Sequence, residues 1–147
     1  MADLDDLARR SADSMWADDA ASRMLGMQIV AVGPGTACVS MTVRDDMING
    51  WGLCHGGLVA SLADSAFAVA CNSYGEVTVA AGFDVSFLEA ARLGDSLVAV
   101  ASERALRGRS GVYDVTVRRA DDDSVIAEFR GRSRSTGRMN PGVEPGG

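Results

Sequence analysis

Apolar residues recur at roughly helical spacing near the start of the chain, at Leu4, Leu7, Ala8, Met15 and Trp16. This predicts an amphipathic helical lead-in over Asp3 to about Ala20, expected to serve as a flap or cap rather than as core. Met27 to Val32 and Thr36 to Val43 are short β-rich runs either side of Gly33-Pro34-Gly35, which predicts a hairpin. A Gly-rich passage, Asn49-Gly50-Trp51-Gly52-Leu53-Cys54-His55-Gly56-Gly57, then leads into an apolar stretch from Leu58 to Tyr74, with Gly75 as its stop. About 17 residues at 1.5 Å each make one helix ~25 Å long. Leu58, Val59, Leu62, Ala63 and Ala66 to Cys71 leave it no polar stripe of ordinary width, so a sheet or partners must wrap it.

The rest of the chain reads as strand: Val77 to Leu88, Asp95 to Leu106, Gly111 to Arg119 and Ser124 to Arg134. Short turns join the last three, which makes them an antiparallel meander. The expected organisation is a lead-in over residues 1–23, a compact domain over 24–136 and a Gly- and Pro-rich tail over 137–147, expected to be disordered. Strand, strand, one buried helix and four strands describe an α+β hotdog fold, a six-stranded antiparallel sheet wrapped around a central helix. One layer of sheet covers one side of that helix only, so a second subunit is expected on the remaining face.

Composition narrows the function. The 147 residues are 47% hydrophobic but only 5% aromatic, so the core must be built from aliphatic and small side chains. All 14 basic residues are arginine. Without lysine, a Walker-type phosphate loop, Schiff-base chemistry and a lysine base are excluded. Through residue 99 there are 5 Arg against 13 acidic residues, and from residue 100 onward 9 Arg against 7. The acidic balance disfavours nucleic acid, while the later arginines suit a small polyanion such as a phosphorylated cofactor.

Cys38, Cys54 and Cys71 are odd in number and form no C-x-x-C pair, which argues for a reducing compartment. The acidic start lacks the look of a signal peptide, and the two long uncharged runs are broken by Gly, Pro, Asn49 and His55. A cytoplasmic protein with no membrane span is expected.

Asp64 is the one charged side chain between His55 and Gly75. A carboxylate in an apolar helix is costly unless paired, so it is either a residue at a solvated or ion-paired edge or a general base or nucleophile. His55, the sole histidine, either orders the Gly-rich loop or moves a proton. With one histidine and no suitably spaced cysteines, a zinc site is not expected. Gly56 and Gly57 offer amide N–H groups and the positive end of the helix dipole to a developing oxyanion. From Gly56 to Asp64 is ~12 Å along a helix axis. If both serve one reaction, Asp64 comes from the neighbouring subunit. Cys54 beside His55 is read as packing.

Asn49-Gly50-x-Gly52-x-x-His55-Gly56-Gly57, Leu62-Ala63-Asp64-Ser65-Ala66-Phe67-Ala68 and Asn72-Ser73 together resemble the hotdog acyl-CoA thioesterases of the phenylacetate-degradation group. The likeness continues through Phe87-Leu88, Gly94-Asp95, Gly108-Arg109-Ser110-Gly111-Val112-Tyr113 and Phe129-Arg130-Gly131-Arg132-Ser133, over about residues 24 to 136. The resemblance implies hydrolysis of an acyl-CoA, phenylacetyl-CoA or a hydroxylated arylacetyl-CoA first, without a cofactor beyond the substrate's own coenzyme A. A medium-chain aliphatic acyl-CoA thioesterase and a noncatalytic acyl-CoA-binding protein are the alternatives.

It further implies that Asp64 activates water or attacks the thioester, that the Gly56 amide polarises its carbonyl, and that Asn49 and His55 shape the loop and position substrate. Gly57, Arg109, Arg132 and Arg134 are the implied coenzyme A contacts, in a dimer or a dimer of dimers. Two departures stand out. Glu89-Ala90-Ala91 replaces an Arg-Pro type of sequence, and Val79-Ala80-Ala81-Gly82 lacks a hydroxyl to hold water, with Thr78 the nearest.

Overall fold

The computed structural model describes residues 3–144. Two helices, α1 (Leu4–Ala17) and α2 (Ala20–Met24), precede the hairpin of β1 (Gln28–Gly33) and β2 (Thr36–Thr42). The helix α3 (Gly56–Cys71) follows, then β3 (Glu76–Phe87), β4 (Ser96–Arg107), β5 (Ser110–Arg119) and β6 (Val125–Met139). The sheet runs β1-β2-β4-β5-β6-β3 with every neighbour antiparallel, which is the expected six-stranded architecture.

Period-two alternation aims one row of side chains from each strand at α3. In register across five strands run Val39, Ala99, Val117, Ala127 and Phe87, and beside them Ala37, Ala101, Val115, Phe129 and Val85. The small residues in the middle let α3 lie close to the sheet, and Phe67 packs its ring among Tyr113 and Phe129 at centroid distances of 5.7 and 5.8 Å. Gly131 makes room for that ring, since a Cβ there would lie 2.8 Å from it. The outward face carries charge instead: Arg130 donates twice to Asp114, at 2.7 and 2.9 Å, and Arg132 pairs with Asp84.

Two expectations need correction, one about the lead-in and one about the tail. The helical lead-in is present, as two helices, because Asp18 closes α1 and Asp19 caps α2, accepting from the Ser22 N–H at 2.9 Å. It also belongs to the core in part, with Leu7, Ala8 and Ala12 buried. The segment beyond residue 136 is ordered as far as it is described. β6 continues to Met139, paired with Glu76, and Asn140 is buried with its Nδ2 donating to the Asn72 side chain and the Gly75 carbonyl. Ser14 donates to the Pro141 carbonyl at 2.6 Å and Val143 is buried, so this segment latches α1 to the C-terminal end of α3. Residues 145–147 lie outside the described part.

α3 begins at Gly56 and ends at Cys71, two residues earlier and three earlier than its apolar stretch suggests. Asn72 ends it by taking the next strand in hand: Nδ2 donates to the Ala68 and Thr78 carbonyls, and Oδ1 accepts from the Thr78 N–H.

Candidate active site

The loop that feeds α3 is folded around Asn49. Its Oδ1 accepts from the Trp51 and Leu53 N–H groups at 2.9 and 3.1 Å, and its own N–H donates to the Leu53 carbonyl at 2.7 Å. Gly52, at φ +75°, makes the reversal that this needs. The Cys54 N–H then donates to the Ala91 carbonyl and the His55 N–H to the Met47 carbonyl, which ties both ends of the loop to the body.

His55 is the N-cap of α3 and is exposed, with no capping bond from its side chain. Its carbonyl takes the Leu58 and Val59 N–H groups. Among the described residues the Gly56 and Gly57 N–H groups have no acceptor, and they stand at the positive end of the helix dipole. Gly56 opens on a cavity of about 350 Å³ with Asn49, Leu53, Val59, Phe87, Leu88 and Ile126 in its walls. Phe87 closes on Gly56 tightly, because a Cβ there would meet its ring at 3.0 Å. Cys54 is buried, and burial pushes its thiol up, so it packs in this wall rather than ionising.

Asp64 is not in that cavity. It stands eight positions after Gly56 in the same unbroken helix, ~12 Å along the axis. The sheet covers most of α3 but leaves one stripe half open, made by Gly57, Ala60, Ser61, Asp64 and Ala68. These recur every three or four residues and therefore line one side of the helix. The carboxylate thus projects from a half-open side of α3, away from the Gly56 cavity. Burial, and secondly the negative charge of Asp19, push its pKa up. It takes part in none of the ion pairs among the described residues.

The structure brings Asn49 and Gly56 together, sets His55 and Gly57 at their rim, and keeps Asp64 apart. It also separates the arginines. Arg132 and Arg134 share a mostly apolar groove of about 420 Å³ with Arg107, over Ala81, Ala105 and Val112. Arg109 lies beside Gly137 and lines a different cavity with Cys71, Tyr74 and Tyr113. Thr78 spends its hydroxyl on the Glu76 carbonyl at the far end of α3.

Sequence reasoning passed over Arg119. Its guanidinium donates to Asp95 at 3.0 Å, Asp122 at 3.0 Å and the Ala90 carbonyl at 2.7 Å, and it sits 3.7 Å from Glu89. It thereby holds the Glu89–Ala91 wall of the Gly56 cavity, and Glu89, which departs from the family pattern, is one of its partners. Three acidic residues in one turn at Asp121-Asp122-Asp123 were the available signal that a neighbouring arginine would be engaged. Trp51, 83% exposed at the loop tip, was likewise passed over. No helix among the described residues is long and apolar enough to cross a membrane.

Comparison with known proteins places this geometry. Residues 52–126 match the model of the thioesterase superfamily. The chain is 42% identical over 130 residues to the acyl-coenzyme A thioesterase PaaI of Escherichia coli, covering 88% of this chain and 92% of that one. The structure of the E. coli PaaI protein superposes with a TM-score of 0.91 at 39% identity, over 93% of this chain and 99% of that chain. A Streptococcus mutans protein, smu.793, solved bound to acetyl-CoA, superposes with a TM-score of 0.73 at 25% identity, over 77% of this chain and 90% of that chain. The loop, the helix that carries Gly56 and Asp64, and the sheet around them are those of a hotdog-fold thioesterase, and the chain belongs to the thioesterase superfamily.

Proposed function

We propose that the protein hydrolyses an acyl-CoA, with an arylacetyl group such as phenylacetyl or a hydroxylated form as the acyl part, at a site that two copies build together. The observation that carries this is the division of one helix into two half-sites. Unpaired amides stand at its start, and a carboxylate of raised basicity stands ~12 Å away on the half-open stripe. Edge strand β3 supports a second copy, because it leaves backbone groups unpaired and exposes Val79, Phe83 and Phe87.

In this reaction the thioester carbonyl oxygen accepts from the Gly56 N–H of one copy. Charge that develops on that oxygen is stabilised by the amide and the helix dipole, in a cavity where Asn49 has already ordered the loop. Asp64 of the other copy takes a proton from water as the water oxygen bonds to the carbonyl carbon. The C–S bond then breaks, its electron pair leaving on sulfur, which receives the proton held by Asp64, so free acid and coenzyme A result and the carboxylate is restored. Direct attack by the Asp64 carboxylate to give an anhydride, opened by water, uses the same placement. Arg107, Arg132 and Arg134 offer three guanidinium groups to the coenzyme's phosphates, with Ala81, Ala105 and Val112 as an apolar floor. The arylacetyl preference rests on the family resemblance and on the likeness to the PaaI protein.

The test is release of free thiol by purified protein from a panel of aromatic and aliphatic acyl-CoAs. Arylacetyl-CoA is expected to have the highest kcat/KM, Asp64→Asn to lower turnover ~10² to 10⁴-fold, and exhaustive chelation to leave it unchanged. No thiol release from any acyl-CoA would leave a binding protein. A medium-chain aliphatic optimum would reassign the acyl group.

A further inference from the structure

Ser65, next to the site carboxylate on α3, meets Ser22 of α2 with 2.8 Å between their hydroxyl oxygens. Ser22 is buried, and its hydroxyl also lies 2.7 Å from the Asp19 carboxylate, which accepts the Ser22 N–H as well. A carboxylate can only accept, so the Ser22 proton goes to Asp19. A hydroxyl has one proton, so the Ser65 proton must go to Ser22. The chain therefore has one direction, from Ser65 through Ser22 to Asp19, and it runs from the catalytic helix to the cap of the lead-in.

We propose that Asp19 is a positioning residue for the Asp64-dependent step, holding α2 against α3 through Ser22 and Ser65 and setting a fixed negative charge beside the reacting carboxylate. This rests on the hydrolytic reading above and adds to it a part for the lead-in. An α2 that merely packed on α3 would be served by an apolar contact. Two buried or half-buried hydroxyls aligned on a half-buried carboxylate are instead a costly arrangement that fixes where a charge stands.

The surroundings leave Asp19 as the charge that acts on Asp64. Arg23, in the same short helix, turns its guanidinium to the Trp16 and Ala17 carbonyls. On α1, Asp6 and Arg10 pair with each other at the surface. The strand rows beneath α3 are apolar, and Cys71, two turns along α3, is a thiol that burial holds protonated, pushed up to about 12. In a shared site the loop of the second copy adds its single histidine. Asp19 thus opposes loss of the Asp64 proton, which makes Asp64 a stronger base once ionised and limits its ionised fraction at low pH.

The experiment follows kcat and kcat/KM for acyl-CoA hydrolysis against pH in wild type, Asp19→Asn, Asp19→Ser and Asp64→Asn. Asn and Ser are good N-cap residues, so both keep the α2 cap while removing the charge. The expected result is an acid limb displaced to lower pH by roughly half a unit or more in both Asp19 variants. On the plateau, about a two- to three-fold lower kcat accompanies it, as for a weaker base. If Asp64→Asn is inactive and the acid limb of both Asp19 variants coincides with that of wild type, the proposal is overturned. A uniform loss of rate at every pH, with no displaced limb, overturns it too, because a structural role alone would do that. Full turnover in Asp64→Asn would instead overturn the assignment of Asp64 on which it stands.

Discussion

The two halves of the proposed site can be separated and then reunited. Asn49→Ala removes the acceptor of two backbone N–H groups, at 2.9 and 3.1 Å, and so frees the loop that sets the Gly56 amide. At ~0.5 to 1.5 kcal/mol for each hydrogen bond, the loop loses ~1 to 3 kcal/mol of local order, enough to cost roughly 5- to 150-fold in turnover if the amide must be in place. Asp64→Ala removes the carboxylate half. Gly56 and Asp64 are ~12 Å apart along one rigid helix, so no rearrangement within a chain brings them to one carbonyl. In a dimer of one chain of each kind, one site collects both lesions and the other collects neither.

Equal mixing with full exchange makes about half of the dimers mixed, and one intact site in each restores roughly a quarter of wild-type activity in the whole mixture and about half in isolated mixed dimer, by two-fold symmetry. The assay is thiol release after co-refolding chains that carry different tags, with the mixed dimer isolated through both tags. Isolated mixed dimer as inactive as its parents would refute the shared site, and with it the placing of Asp64 against the partner's substrate.

Other consequences follow from burial. Because the folded pKa of Asp64 is raised, its ionised form is disfavoured in the fold, and its contribution to stability falls as pH rises from the unfolded value through the folded one. Asp64→Asn is therefore expected to raise Tm at neutral pH while abolishing turnover, with the gain vanishing below about pH 4, where both states bind the proton. A neutral-pH Tm below wild type would contradict it. Gly131→Ala puts a methyl 2.8 Å from the Phe67 ring and is expected to cost ~1 to 3 kcal/mol by overpacking, read as a lower denaturant midpoint at unchanged slope.

Much of this molecule was legible in the order of its residues. The long strand signals, the Gly33-Pro34-Gly35 turn and one apolar helix restrict the chain to a sheet wrapped on a helix, because each depends on local periodicity. The separation of Gly56 from Asp64 was legible too, since helical rise alone sets it. The tail was misjudged for a physical reason. Gly137, Pro141 and Gly142 read as disorder by composition, yet Asn140 gains buried partners at Asn72 and Gly75, which stand about 65 positions away in the chain.

Sequence by itself thus determined the fold class, the Asn49–Gly57 loop that leads into α3 and the lone carboxylate on that helix, each carried by a local pattern or by the chemistry of a single residue. Tertiary structure decided what depends on neighbours distant in sequence. It left one stripe of α3 half open and set Asp64 on it, and it brought Ser22 and Asp19 of the lead-in to Ser65. It put Arg132 and Arg134 in one groove with Arg107, because period-two alternation sends positions 132 and 134 of β6 to one face, and left Arg109 at another cavity, because it sits in the turn between β4 and β5 rather than on a strand.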